Sequence, residues 1–491
     1  MADPVWLGID LGTQSVRVFA VDATGQLAGS GSASLTSHRG GVCHEQDPEQ
    51  WWTAVQAASC QALSPVDTTR VAGLAVDATS GTILLGDTAA QPLTAALMYD
   101  DSRAATEAAA VNAAGGRLWT ELGYRSMPPS WALPKLLWLL RHHRPRQDNE
   151  VRLYHQADFI TTRLVGHPVP TDSSHALKTG YHLLSERWPG ELFDTLDIPG
   201  SLLPQVVRPG TMLGQVAAAA AEATGIPAGT PVVAGMTDGC AAQLGTGVLE
   251  VGAWNVVLGT TLTLKGVSDH LIRDPGGVVY CHRGPEDTWL PGGASSAGAG
   301  VIAHRFPGAD LDVLTARAAT LPPGPIAYPL VGRGERFPFR APQAEPFLLG
   351  TADDDAALFG ALLLGVACVE RLCFDYLDFL GATVGRSLSF TGGATHNRHW
   401  CQLRADLLGW PVWLPTQAEA ALGMALLAAT TSGIPLYEAA AVMVHRGDEL
   451  QPRPAHAHRL LDRYHAFLEQ LTDRGWLDPA VADHAHRRAE P

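Results

Sequence analysis

The chain opens with a strand that turns straight back into another strand. Val5 to Ile9 is apolar, Asp10-Leu11-Gly12-Thr13-Gln14-Ser15 is a tight polar turn, and Val16 to Val21 is apolar again. Ala23-Thr24-Gly25 turns once more, so the first forty residues read as a β-meander. A dinucleotide-binding opening would run from its glycines directly into a helix, with GxGxxG spacing. Glycines that join strand to strand argue against that fold.

The same gesture recurs midway. Val248 to Val257 supplies strand material, Leu258-Gly259-Thr260-Thr261 turns, and Leu262 to Val267 returns. A Gly-Thr hairpin near the start of each half predicts duplicated α/β domains, and 491 residues suffice for two large ones. The boundary falls between about Pro231 and Glu250, which gives domains at 1–245 and 246–450 and a tail at 451–491. Asp47 as N-cap, Pro48 at N1 and Gln50 at N3 predict a helix with Trp51, Trp52 and Val55 on its apolar side. Further helices are expected at about Trp131–Arg141, Asp353–Phe374, Asn397–Leu408 and Glu419–Ala429. The tail, with His456, His458, His465, His484 and His486, reads as a solvated segment carrying an amphipathic helix over His458–Leu471.

Charge and cysteine content narrow the function classes. Lys and Arg total 34 against 49 Asp and Glu, a net charge of −15 that argues against a surface gripping nucleic acid or an anionic membrane. It leaves room for a local pocket that takes a small anion. Seven scattered cysteines without a CxxC pair predict neither a disulfide framework nor a structural zinc site. The apolar stretch Ala356 to Val369 has 14 residues. A membrane span needs nearer ~20, so it reads as a core helix. The opening MADPVWLGIDLG carries an acid where a secretory signal carries base, so a soluble, cytoplasmic protein is expected.

Three loops carry chemistry. In the first, Gly12 lets backbone N–H groups approach a ligand, and Thr13, Gln14 and Ser15 add short polar donors suited to phosphate oxygens. Asp10 would repel phosphate unless Mg²⁺ lies between them, which makes it the candidate metal residue. An ordinary Asp-Gly turn is the competing reading. The second, Ala234-Gly235-Met236-Thr237-Asp238-Gly239-Cys240, follows an apolar strand. Asp238 is suited to accept the proton of a substrate hydroxyl attacking phosphorus, or is a plain turn residue or N-cap. In the third, Phe390-Thr391-Gly392-Gly393-Ala394-Thr395-His396-Asn397, the glycine pair permits backbone to pack on a flat ring. There Asn397 either caps the next helix or bonds a ligand.

Taken together, LGIDLGTQSVRVFAVD, VVAGMTDGCAAQLGTG, GAWNVVLGTTLTLKG and LSFTGGATHNRHWCQLRADLLGWPV resemble the motifs of the FGGY carbohydrate kinases of the actin/hexokinase/Hsp70 superfamily. The resemblance runs from the first strand to AEAALGMALLAAT. It implies an α/β fold of two ribonuclease-H-like (actin-like ATPase) domains flanking a central cleft, with ATP, Mg²⁺ and a sugar. It makes Asp238 the base, sets Gly259, Thr260 and Thr261 near the nucleotide phosphates, and sets Gly392, Gly393 and Asn397 at the adenosine side.

Substrate choice rests on a departure. Xylulose kinases show a Met-His-Gly segment where this chain has Asp77-Ala78-Thr79-Ser80-Gly81-Thr82, which looks more like the D-ribulose kinase branch. Ser80, Gly81 and Thr82, with the acidic turn Asp100-Asp101, are the candidate sugar contacts, and Trp131 is a candidate apolar face. A solvated turn with Arg103 paired nearby is the competing reading of Asp100-Asp101. His175 reads equally as a satisfied surface histidine or a substrate contact, and Asp158 as structural. The expectation is a ketopentose kinase acting on D-ribulose, with D-xylulose the nearest alternative. Neither a nucleic-acid nor a membrane partner is expected, and a homodimer is left open. A catalytically silent sugar sensor and a nucleotide-dependent assembly protein are the rival classes.

Overall fold

Residues 3–143 and 151–489 are described in a computed structural model; the chain's first two and last two residues lie outside them. They fall into two units. One comprises Met1–Gly247, His282–Trp289 and Gln417–His445; the other comprises Val248–Cys281, Leu290–Thr416 and Arg446–Pro491.

The first unit is built on the predicted meander. Val5–Leu11 pairs antiparallel with Ser15–Asp22, which pairs antiparallel with Leu27–Ser34. Val71–Ala78 then adds parallel to Val5–Leu11, and Pro231–Val233 adds parallel to Val71–Ala78. Met212–Gln215 closes the edge, antiparallel. The helix Pro48–Leu63 begins as its sequence predicts: the Asp47 side chain accepts from the Glu49 N–H at 3.0 Å, Pro48 is at N1, and Trp51 is buried. It packs on the meander at glycines, since a Cβ at Gly31 would lie 2.0 Å from the Ala58 carbonyl oxygen.

The second unit repeats this plan. Ala253–Leu258 and Leu262–Gly266 form the expected hairpin, and Trp289–Ala294 extends it antiparallel. Ser387–Thr391 adds parallel to Ala253–Leu258, Val412–Pro415 adds parallel to that, and Arg446–Leu450 is antiparallel at the edge. The duplicated α/β architecture is therefore present as two meander-plus-parallel sheets.

Domain limits differ from a single cut in the sequence. The helix Ala420–Ala429 lies late in the chain, yet belongs to the first unit. A Cβ at Gly8 would sit 1.7 Å from the Ala421 carbonyl oxygen, so sheet and helix meet backbone to backbone. Composition explains this: AALGMALLAA has small side chains on nearly every face, and all ten residues are buried.

The C-terminal segment is also corrected. It is not a solvated tail, because Pro454–Asp473 and Pro479–Ala489 are helices that bury Tyr464, Phe467, Leu468, Leu471, Val481 and Ala485. The Tyr464 hydroxyl donates to Asp375 at 2.6 Å, and Arg488 pairs with the same carboxylate at 2.6 Å. Asp375 lies on the long helix Asp355–Phe379, which is long and apolar enough to cross a membrane by composition but is a buried core element.

Gly8→Ala tests the backbone contact. A methyl group there has no room, so the variant should lose about 3 kcal/mol or more of stability. Urea unfolding followed by tryptophan fluorescence measures it, and a loss below about 1 kcal/mol would contradict so close an approach.

Candidate functional site

In the first unit, chemistry gathers at the carboxyl ends of the parallel strands, where open α/β sheets hold ligands. Asp10 lies near the end of Val5–Leu11, directly beside Asp77 on Val71–Ala78. Each carboxyl group acts on the other's charge across that register. Neither Asp77 oxygen has a hydrogen-bond partner, and the residue is fully buried. Asp238 opens the helix Asp238–Gly245 after the next parallel strand, with its carboxylate accepting the Gly239 N–H at 2.7 Å.

These three carboxylates repel one another. Burial first, and then the Asp238 charge, push Asp10 from 3.8 up to about 6. Burial and the charges of Asp10 and Asp238 hold Asp77 well above the carboxylate range. Arg17, opposite Asp10 in the hairpin register, offsets part of this while pairing with Glu419 at 2.9 Å.

Asp77 is the residue that sequence reading missed. A signal existed: Val5–Leu11 and Val71–Ala78 are the two apolar strands that end in an aspartate one residue before their last, in LGIDL and LAVDA. Only the parallel register shows that the two carboxylates are neighbours.

The predicted phosphate turn is an open hairpin end. The Gly12 N–H donates to the Ser15 carbonyl at 3.1 Å, and Gln46 holds the Thr13 carbonyl at 2.7 Å. Gln14 is exposed, while Gly12, Thr13 and Ser15 are half-buried. Among the described residues no set of three metal-ligating side chains is gathered tightly enough to hold an ion alone. Mg²⁺ does not need one, since it takes one or two carboxylates together with water and phosphate oxygens. Asp10, with the unpartnered Asp77 beside it, fits that pattern.

Beyond Asp77 the chain turns through Thr79-Ser80-Gly81-Thr82. Thr79 Oγ1 donates to Gln156 at 2.6 Å and lies 2.6 Å from Thr82 Oγ1. Gly81 takes φ +96°, which disfavours any side chain. Lys178 donates to the Ser80 carbonyl at 3.0 Å, with its ammonium 5.8 Å from the centre of the Trp131 ring. Ser80 Oγ and Gln156 Nε2 are buried and have no partner. Buried hydroxyl and amide groups normally find partners, so such orphans suit a hydroxylated ligand.

The acidic turn is held internally. Asp101 accepts the His44 N–H at 2.7 Å and the Arg103 guanidinium at 2.7 Å, and Asp100 pairs with Arg39 at 3.0 Å and with His44. Lys135, also missed, is fully buried and donates to the Met98 carbonyl at 2.7 Å just ahead of this turn; burial pushes its ammonium down to about 7. His175 is not a surface histidine, being fully buried against Asp172. Asp158 forms a capping box with His155 at the start of Gln156–Val165.

In the second unit, the two predicted glycine loops lie side by side. A Cβ on Gly392, at φ +87°, would come 2.7 Å from the Leu258 carbonyl oxygen, immediately before Gly259-Thr260-Thr261. That hairpin end is braced by the Ala299 and Gly300 N–H groups on the Gly259 and Thr260 carbonyls, at 2.9 and 3.0 Å. Gly392 and Gly393 are exposed, and nothing lies within 4 Å of a Cβ built on Gly393. Asn397 caps Arg398–Leu408 by accepting the Trp400 N–H at 2.9 Å, and its amide donates to Thr315 at 2.8 Å.

The FGGY family of carbohydrate kinases, N-terminal domain, matches residues 5–245, and the C-terminal domain of the same family matches residues 252–432. A xylulose kinase of Streptomyces coelicolor is 31% identical, covering 87% of this chain and 88% of that protein. A xylulose kinase of Klebsiella pneumoniae is 29% identical, covering 94% and 95%. The crystal structure of a xylulose kinase from Rhodospirillum rubrum superposes with a TM-score of 0.85 at 25% identity, covering 95% of this chain and 98% of that one.

The crowded carboxylates predict a pH-dependent stability. Because Asp10 and Asp77 titrate above the unfolded value of 3.8, their support for the fold is complete below that value; that of Asp10 is lost as pH rises through about 6, and that of Asp77 is lost well above 3.8. Asp77→Asn should therefore stabilise the unliganded protein by about 1–2 kcal/mol at pH 8, with the gain gone at about pH 4. Urea titrations at the two pH values decide it, and equal stability at pH 8 would contradict the repulsion.

Proposed function

The chain belongs to the FGGY family of carbohydrate kinases, and we propose that within it this protein transfers the γ-phosphoryl group of ATP to the terminal hydroxyl of a ketopentose, forming D-ribulose 5-phosphate from D-ribulose. The observation that carries the kinase reading is Asp238, at the start of a helix and electrostatically linked to Asp10 at the carboxyl ends of the strands. Asp238 orients the sugar's primary hydroxyl and takes its proton as that oxygen bonds to phosphorus and the bond to the ADP oxygen breaks. Gly12, Thr13, Gln14, Ser15, Gly259, Thr260 and Thr261 are assigned to phosphate oxygens. Gly392, Gly393 and Asn397 are assigned to adenosine. Asp10 would hold Mg²⁺, which when bound would supply charge neutralisation for the transferring group.

The sugar assignment rests on the turn at residues 79–82. Ser80 Oγ and Gln156 Nε2, unpartnered and buried, suit the hydroxyls of a short ketose, and Gly81 lets the backbone pass close to it. Asp100 and Asp101 are assigned to shape the pocket beside them. D-Xylulose is the second reading, favoured by the names of the relatives.

Two measurements test these roles. Asp238→Ala should lower sugar-dependent ADP release by about 10³-fold or more, while calorimetry finds ATP affinity within about threefold. Retained turnover would remove Asp238 from the base role. An ATP-coupled assay over D-ribulose, D-xylulose, L-ribulose, L-xylulose, ribitol, glycerol and gluconate should give D-ribulose the highest kcat/KM, by about tenfold over D-xylulose. The reverse order would favour D-xylulose, and no sugar-dependent ADP at all would sink the kinase reading.

A further inference from the structure

We infer that Ser174, backed by Asp172 and His175, is the positioning residue for Asp238, an inference that rests on the reading of Asp238 as the base. Thr237, immediately before Asp238, lies beyond the strand Pro231–Val233 with a single bridge to Ala78, and its side chain makes no capping bond to the helix it precedes. Its backbone N–H is buried and donates to Ser174 Oγ at 2.9 Å. Sixty-three residues separate the two in sequence. The contact is therefore tertiary, and with the Ala78 bridge it ties down the peptide that leads into Asp238.

The hydroxyl can accept that bond because its own proton is committed. Ser174 Oγ donates to Asp172 Oδ1 at 2.5 Å, which turns its lone pairs toward Thr237. Asp172 Oδ1 also accepts the N–H groups of Ser174 and His175, at 2.8 and 3.1 Å. Its other oxygen accepts from His175 Nδ1 at 2.5 Å. All four residues are buried. The order of donors is thus fixed from Thr237 N–H through the Ser174 hydroxyl to the Asp172 carboxylate, with the imidazole completing the carboxylate's shell.

Electrostatics supports the same arrangement. Burial alone would strip the His175 proton, but Asp172 holds it above the usual histidine value, and Asp158 and Asp238 add to this. The remaining ring neighbour is His155, whose centroid lies 6.0 Å away. Asp172 itself, which burial would raise, is held below its usual value by His175 and by the hydroxyl and N–H groups on it.

The test compares Ser174→Ala, Ser174→Thr and Asp172→Asn in the full chain. Ser174→Ala should lower kcat by about tenfold or more while KM for MgATP stays within about twofold. Ser174→Thr, which keeps the hydroxyl, should return kcat to within about threefold of the parent, and Asp172→Asn should fall with the alanine variant. Hydrogen exchange gives a readout independent of turnover: in Ser174→Ala the peptide spanning residues 234–240 should exchange about tenfold faster, with the strand Val5–Leu11 unchanged. Unaltered exchange in that peptide, or a kcat equal to the parent's, would overturn the inference. An active Asp238→Ala would overturn the reading beneath it instead, and the exchange result would still decide whether Ser174 holds the segment.

Discussion

The first unit depends on how closely the helix Ala420–Ala429 can approach the sheet. Gly8 meets the Ala421 carbonyl on one side of that helix, and Gly423 meets the Ala241 carbonyl on another, where an added Cβ would lie 1.9 Å away. Gly245 makes a third such contact with Glu419. Dispersion between atoms at contact distance is weak singly and large in sum, and any methyl group would forfeit it. Through these contacts the helix Asp238–Gly245 is pressed into place against the sheet that carries Asp10. The geometry of the candidate base is set by glycines and alanines that touch no ligand.

Against that rigid frame the carboxylates are a standing cost. Asp77 is buried beside Asp10 with no hydrogen-bond partner, and the two cannot both ionise without opposing the fold. An unpaired buried charge is tolerated where function needs it and packing elsewhere offsets it. A cation beside them, or a proton on either carboxylate, relieves the repulsion. The arrangement therefore ties ligand binding to stability in the same few atoms.

The second unit has a different emphasis. Its loops leave Gly392 and Gly393 open, while the interior behind them is cross-braced by buried ion pairs. Arg404 bonds Glu370 at 2.6 and 2.9 Å with both side chains fully buried, and its guanidinium stacks 3.5 Å from the Phe390 ring centre. Phe390 leads directly into Thr391-Gly392-Gly393, so the strand carrying that loop rests on a charged pair that is costly to break. The C-terminal helices join the same system through Asp375, which explains why histidine-containing sequence that reads as solvated is instead packed. Its apolar positions Leu460, Tyr464, Phe467, Leu468 and Leu471 follow helical spacing, and that signal outweighed its polarity.

What the sequence determined by itself is local. Alternating apolar runs and Gly-Thr turns set both meanders, Asp47-Pro48 started its helix, and Asn397 capped another, because each depends on residues within a few positions. Asp10, Asp238 and the glycine turns were legible for the same reason. What only the tertiary structure decided involves partners far apart in the chain. Asp77 gains meaning from a register with Asp10, Ser174 from an N–H at Thr237, and Ala420–Ala429 from a sheet laid down four hundred residues earlier. No local pattern encodes such pairings, since they follow from which surfaces bury against one another, and that is a property of the whole packed chain.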